Sequence, residues 1–185
     1  DLVLTNETQE DKEVHLYGCM EWCLWNAVDD STNYQRNLNI AECEAEERIL
    51  YHKTEYRERR DHYAYYAVNR DTAGWDTDRN TFLGPMGDWS APALVERESS
   101  AFSCITGWYP IGCHHLKIAL APGESQRVIF LLGYGKNPRD RKFLSPGVIR
   151  KDDAHATAAK YADPAAVDAA FAALGRYWDS LLSSY

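Results

Sequence analysis

The stretch His115–Tyr134, HLKIALAPGESQRVIFLLGY, decides the fold class. Leu116, Ile118 and Leu120 fall on alternate positions, the period-2 pattern of a half-buried strand. Pro122-Gly123 comes next, where proline's fixed φ and glycine's access to positive φ suit a type II turn. Val128 to Leu132 then resumes the strand, so the stretch predicts a β-hairpin.

Upstream, the chain also reads as extended structure. DLVLTNET, the polar QEDKE and VHLYGCMEWCLW give strand, turn, strand. In the second strand Val14, Leu16, Met20, Trp22 and Leu24 share one face. His15, Tyr17, Cys19, Glu21, Cys23 and Trp25 share the other, so both faces are half-covered. NAVDDSTNYQRN has the Asp, Ser, Thr and Asn density of a loop. LNIAECEAEERILYHKTEY and HYAYYAVN return to strand-forming residues, and DTAGWDTDRNTFLGPMGDWSAP reads as a long loop broken by Gly and Pro.

Downstream the period changes. KNPRDRKFLSPGVIRKDD reads as a linker, and alanine dominates from Ala154. Asp163-Pro164 is an N-cap followed by proline at the first helical position. Val167, Ala170, Phe171, Leu174, Tyr177, Trp178, Leu181, Leu182 and Tyr185 then recur at helical spacing, along a helix of ~33 Å. An apolar stripe of that length must be covered, either by the sheets or by a domain further along. Strands followed by helices predict a mainly β chain, an antiparallel sandwich over residues 1–145 with a linker and helices over 146–185. The start at Asp1 inside a strand and the end at Tyr185 inside a helical pattern suggest a piece of a longer protein.

Charge narrows the function. Twenty basic and 28 acidic residues give a net charge of −8, and the charged stretch Leu50–Tyr66, LYHKTEYRERRDHYAYY, is close to balanced. A phosphate-backbone reader needs a positive footprint, so nucleic acid is not the expected partner. No apolar run approaches the ~20 residues that span a bilayer, and no basic-then-apolar leader precedes the first strand. Five cysteines are scattered through the chain. Cys19 and Cys23, four apart on a strand, lie ~13 Å apart and cannot bridge. No spacing suits a zinc ligand set, so reduced thiols in a cytoplasmic protein are expected.

Motifs for nucleotide binding and acyl transfer are absent. His114 and His115, adjacent on a strand, point to opposite faces and cannot share a metal; neither metal nor cofactor is expected. Carboxylates are too many for sequence to choose a catalytic pair. What remains is a polar set able to meet sugar hydroxyls, flanked by Tyr34, Tyr51 and Tyr56. Asn33, Gln35, Arg36 and Asn37 lie in the first loop, while Lys53, Glu55 and Arg57 alternate along an expected strand. A salt-bridge ladder on a sheet is the competing explanation of the same residues.

Several blocks, in order, resemble glycoside hydrolase family 94, the former glycosyltransferase family 36: EWCLWNAVDDSTNYQRN, LYHKTEYRERRDHYAYYAVN, GWDTDRNTFLGP, GWYPIGCHHLKIALAPGESQRVIFLLGY and AAFAALGRYWDSLLSSY. Within the family they are most similar to the cellobiose phosphorylases. The resemblance implies the later part of a β super-sandwich plus the linker helices that lead to an (α/α)6 barrel. It implies inverting phosphorolysis, in which phosphate attacks the anomeric carbon while a single Asp protonates the leaving oxygen. Cellobiose and inorganic phosphate would give α-glucose 1-phosphate and glucose. The catalytic Asp belongs to a barrel segment of the type FRDSNQD, which this chain lacks, so no catalytic residue is expected here. The resemblance further implies a homodimer in which the sandwich of one subunit reaches over the partner's pocket. Asn33, Gln35, Arg36 and Asn37 would line its acceptor end, with Asn26 adding to them. Lys53 and Arg57 would stand behind them or touch ligand. Where family members often carry glycine, Glu46-Glu47-Arg48 occupies the turn before this stretch. A stand-alone sugar-binding sandwich and a purely structural one are the alternatives.

Overall fold

A computed structural model of the chain describes residues 1–23, 26–28, 32, 38–55 and 57–183, without the side chains of residues 57 and 58. The strands are β1 (Leu2–Thr5), β2 (Lys12–Glu21), β3 (Asn39–Glu44), β4 (Ile49–Thr54), β5 (His62–Val68), β6 (Gly74–Asp78), β7 (Pro110–Leu120), β8 (Ser125–Val128), β9 (Phe130–Lys136), β10 (Phe143–Ser145) and β11 (Val148–Ile149). The helices are α1 (Arg79–Leu83), α2 (Ala93–Glu96), α3 (Asp152–Tyr161) and α4 (Pro164–Leu182). A four-stranded sheet in the order β3-β4-β5-β9 faces a three-stranded sheet in the order β2-β7-β6. Two small pairs, β1-β8 and β10-β11, complete an antiparallel arrangement. The chain is therefore mainly β, with helices at its C-terminal end.

Alternation dictates the layers. From β2 and β7, Val14, Leu16, Leu116, Ile118 and Leu120 point inward with Val68 and Val128. The opposite face of these strands carries Tyr17, Cys19, Ile111 and Cys113 against Phe82, Leu83 and Leu94 of the short helices. The four-stranded sheet is covered twice. Leu50, Ala64 and Tyr66 meet Trp22 and Phe130 on the inner side, while Ile49, Tyr51, Tyr63 and Tyr65 meet Phe143, Ile149 and Ala154 on the outer side. Covering on both sides explains why YHKT and HYAYYAV are buried without interruption.

The expected hairpin at His115–Tyr134 is half right. Glu124 N–H donates to Ala121 O at 3.0 Å with Gly123 at φ +75°, as a type II turn requires. Yet β7 pairs with β2 and β6, whereas β8 pairs with β1 and β9 with β5. The turn therefore passes the chain from one layer to the other, a choice that alternation alone does not encode. The long loop expected after Val68 contains β6 and α1 as well. Asp78 caps α1 through Asn80 N–H and the Thr81 hydroxyl. The 45–48 turn closes with Arg48 in the left-handed region at φ 58°, the conformation for which glycine is the usual residue.

Cys19 and Cys113 face each other in the β2–β7 register and form a disulfide across 94 residues, which corrects the expectation of five reduced thiols. Spacing along the sequence tested only Cys19 against Cys23; the partner lay on the neighbouring strand. His114 and His115 do point to opposite faces. His114 is buried between the sheets, its Nε2 2.9 Å from Tyr66 O, and burial pushes its pKa down to about 4. His115 stacks on Tyr17 on the outer side.

At the C-terminal end Asp163 accepts from Ala165 N–H and Pro164 opens α4, as the cap pattern predicts. Val167 is buried, but Phe171, Leu174, Tyr177, Trp178, Leu181 and Leu182 stand exposed. The sheets leave this stripe uncovered. Among the described residues no helix is long and apolar enough to cross a membrane.

Candidate functional site

The polar loop between β2 and β3 leaves and re-enters the sandwich at two pinned points. On the outgoing side, Trp22 is 2 % exposed and stacks on His52, with ring centroids 5.3 Å apart and planes 9° from parallel. The indole fits because residue 112 is glycine: a Cβ there would meet Trp22 Cζ2 at 2.9 Å. His52 is fully enclosed, and burial lowers its pKa to about 3, so the ring is neutral.

On the returning side, Thr54 Oγ1 donates to Leu38 O at 3.2 Å. Buried Asn39 accepts from Gly107 N–H at 2.7 Å and donates to Ile105 O at 3.4 Å. These contacts tie the foot of the loop to the segment before β7. That segment is tied in turn to β6. Asp76 accepts from Ala101 and Ser103 N–H and from the Ser103 hydroxyl, and Ile105 N–H donates to Thr77 Oγ1. Burial raises the pKa of Asp76, with the Ser103 hydrogen bonds opposing it.

Beside the foot lies a shallow cavity of about 130 Å³ lined by Glu21, Arg79, Tyr109 and Pro110. Arg79 Nε is 3.0 Å from Glu21 Oε1, and the guanidinium lies 5.9 Å from the ring centres of both Trp89 and Tyr109. Trp108, next in the chain, is exposed. An ion pair framed by aromatic rings is a suitable lining for a polyhydroxylated ligand. Sequence reading did not find this cluster. Glu21 was one carboxylate among many, and Arg79 and Trp89 sit in what reads as a loop.

Of the residues expected to meet ligand, Asn33, Gln35, Arg36 and Asn37 lie outside the described residues, as does the side chain of Arg57. Asn26 is exposed and accepts from Val28 N–H at 2.9 Å. Lys53 is 0 % exposed. Its ammonium donates to Glu55, to Arg60 O and to Thr54 O, and lies 5.3 Å from the centre of the Phe143 ring. Burial pulls its pKa down, with Glu55 opposing that shift. Glu55 takes a second ammonium from Lys142. Burial would raise the Glu55 carboxyl, but the two lysines hold it below its ordinary value.

The expectation that Lys53, Glu55 and Arg57 share one strand face is corrected. β4 ends at Thr54, and a 3₁₀ turn over Arg57–Asp61 leads back into β5. Apart from Lys53, which lies on β4, the charged residues of LYHKTEYRERRDHYAYY therefore belong to the β4–β5 connection rather than to a strand edge. Buried Lys53 fixes that connection from inside.

Residues 1–164 match the family described as Glycosyl hydrolase 94, supersandwich domain. The chain is similar to the N,N'-diacetylchitobiose phosphorylases of Vibrio furnissii, at 26% identity over 187 residues, and Vibrio proteolyticus, at 28% over 189. Both alignments take in 100% of this chain and 21% of the relative. It is also similar to the solabiose phosphorylase of Paenibacillus borealis, at 27% over 170 residues, covering 87% of this chain and 22% of that protein. The chain thus spans about a fifth of the length of these curated relatives.

Proposed function

We infer, since the chain belongs to the Glycosyl hydrolase 94 supersandwich family, that it is the sandwich portion of an inverting disaccharide phosphorylase. The family match over residues 1–164 carries this reading, and the chain-long similarity to phosphorylases supports it. In the reaction, inorganic phosphate displaces the leaving sugar with inversion, and an acid in another part of the protein protonates the glycosidic oxygen. No cofactor takes part. The sequence blocks favour cellobiose, giving α-glucose 1-phosphate and glucose, in a cytoplasmic homodimer.

This chain's role is to wall the acceptor end of the partner subunit's pocket. Asn33, Gln35, Arg36 and Asn37 would donate to and accept from sugar hydroxyls, with Arg57 beside them. Lys53 would hold the 55–61 turn that backs the loop. The exposed stripe of α4 would seat the rest of the protein. The test is phosphate-dependent release of a sugar 1-phosphate by the full-length protein: glucose 1-phosphate from cellobiose, and the corresponding glycosyl 1-phosphates from N,N'-diacetylchitobiose and solabiose as comparison substrates. No phosphorolysis of any β-linked disaccharide would end the proposal.

The loop assignment has its own test. Arg36→Ala is expected to raise the acceptor KM in the synthetic direction about 10–100-fold, the loss of one charged hydrogen-bonding group. The KM for glucose 1-phosphate should stay unchanged. An unaltered acceptor KM would remove the loop from the site.

A further inference from the structure

The ends of three strands meet at one corner of the three-stranded sheet. Glu21 closes β2 opposite Ile111, and Pro110 opens β7 opposite Asp78, the residue before Arg79. The β6–β7 register shifts between Asp76 and Asp78, an irregularity of the kind that re-aims side chains at a sheet end. Tyr109 sits at φ 50°, in the left-handed region that bulky side chains rarely adopt, and its carbonyl accepts from Arg79 N–H at 3.1 Å. Strain of this kind persists where the surroundings hold it, and here it lines the cavity that Glu21 and Arg79 share. Trp89 leans on buried Phe82, with ring centroids 5.8 Å apart, yet keeps 42 % of its surface open. A charged pair is thus walled by rings that the fold itself holds in place.

We propose that this corner binds a neutral pyranose unit of an oligosaccharide, with Arg79 donating to its hydroxyls, Glu21 accepting from them, and Trp89 covering its C–H face. Three features point to that ligand class. The Arg79 and Glu21 side chains are 33 % and 37 % exposed, so both are partly desolvated and still within reach. Their charges also cancel. An anion entering the corner would meet Glu21, and a cation would meet Arg79, like charge against like, whereas a vicinal diol can bond both groups. Finally, exposed Trp108 lies with its ring centroid 6.1 Å from that of Tyr109, which extends the aromatic surface by one ring and suits a second sugar unit. The site rests on its lining alone, and the phosphorylase reading enters only in the choice of a β-linked probe.

Hydroxyl-radical footprinting of the full-length protein with and without cellotetraose, read at Trp89 by tandem mass spectrometry, tests the site. Trp89 should be oxidised in the free protein and protected as the sugar is added. Arg79→Met should raise the half-protecting concentration about tenfold or more, the loss of a charged hydrogen-bonding group. Glu21→Gln, which keeps the shape of the side chain, should raise it as well. Tetragalacturonate, a charged chain of the same length, should give no protection at these concentrations. Trp89 left unprotected by cellotetraose, half-protection unmoved in both variants, or equal protection by tetragalacturonate would each overturn the proposal. So would a Trp89 that is unreactive in the free protein, because another part of the protein would then cover the corner. Release of glucose 1-phosphate from cellobiose with Trp89 unprotected would end this proposal alone. Protection of Trp89 without phosphorolysis would keep the site and end the reading of the reaction.

Discussion

Replacing Lys151 with methionine is expected to lower the unfolding free energy at neutral pH by about 3–5 kcal/mol, the usual penalty for stranding buried charge. Lys151 Nζ lies 2.5 Å from Glu42 Oε2 and 2.8 Å from Glu44 Oε1. Glu44 also accepts from Tyr51 Oη at 2.7 Å and lies 2.7 Å from His155 Nε2, while Glu42 accepts from Ile149 N–H. This network is the polar joint between the four-stranded sheet and α3. Without the ammonium, two carboxylates on one strand face each other under cover with no shared cation. Burial would raise Glu44's pKa, but hydrogen bonds from His155, Lys151 and Tyr51 hold it below the ordinary 4.5. A lowered carboxyl contributes stability that is present above its unfolded value and lost as pH falls through the folded one. The penalty of Lys151→Met should therefore shrink as pH falls below 4.5, where protonation relieves the stranded acid. Urea unfolding at pH 7 and pH 4, with hydrogen exchange of α3 as a local readout, tests both parts. A change below about 1 kcal/mol at pH 7 would mean that solvent already screens the network.

How much of this was legible in sequence depends on range. Local signals were read correctly: the Asp163-Pro164 cap, the Pro122-Gly123 turn, and the opposed faces of His114 and His115 each depend on residues within a few positions. Pairing was not legible. Nothing near Leu120 says that the next strand leaves for another sheet, and Cys19 carries no local mark of Cys113. Lys53 is the instructive case. Its alternation with Glu55 and Arg57 looks like one face of an exposed strand. The residue is instead enclosed, because the strand stops at Thr54 and the following turn folds Arg60 O back over its ammonium. Of the candidate site, the polar loop was visible as composition. The residues that anchor it, Trp22, His52 and Asn39, and the Arg79 cluster beside its foot required the fold.

Those anchors give the second large effect. Trp22→Ala should destabilise the protein by about 3–5 kcal/mol, the range for truncating a buried aromatic residue, because no neighbour can refill the space. Gly112 has no side chain to offer, and Leu50, Ala64 and Tyr66 are held by their strands. Trp22→Phe keeps a ring over His52 and should recover a large part of the loss. The variant also carries a pH signature that a generic core truncation lacks. The folded pKa of His52 is about 3, far below its ordinary 6.5, so the native state resists its protonation. A lowered histidine contributes stability that is whole above pH 6.5 and falls away as the pH drops toward the folded value, by up to about 1.4 kcal/mol per unit. Removing the indole admits water to one face of His52 and moves its pKa back toward 6.5. The stability of Trp22→Ala should therefore decline less steeply than that of the unsubstituted protein between pH 6 and pH 4. Parallel slopes in the two proteins would mean that His52 is kept dry by the rest of the core and that Trp22 acts through volume alone.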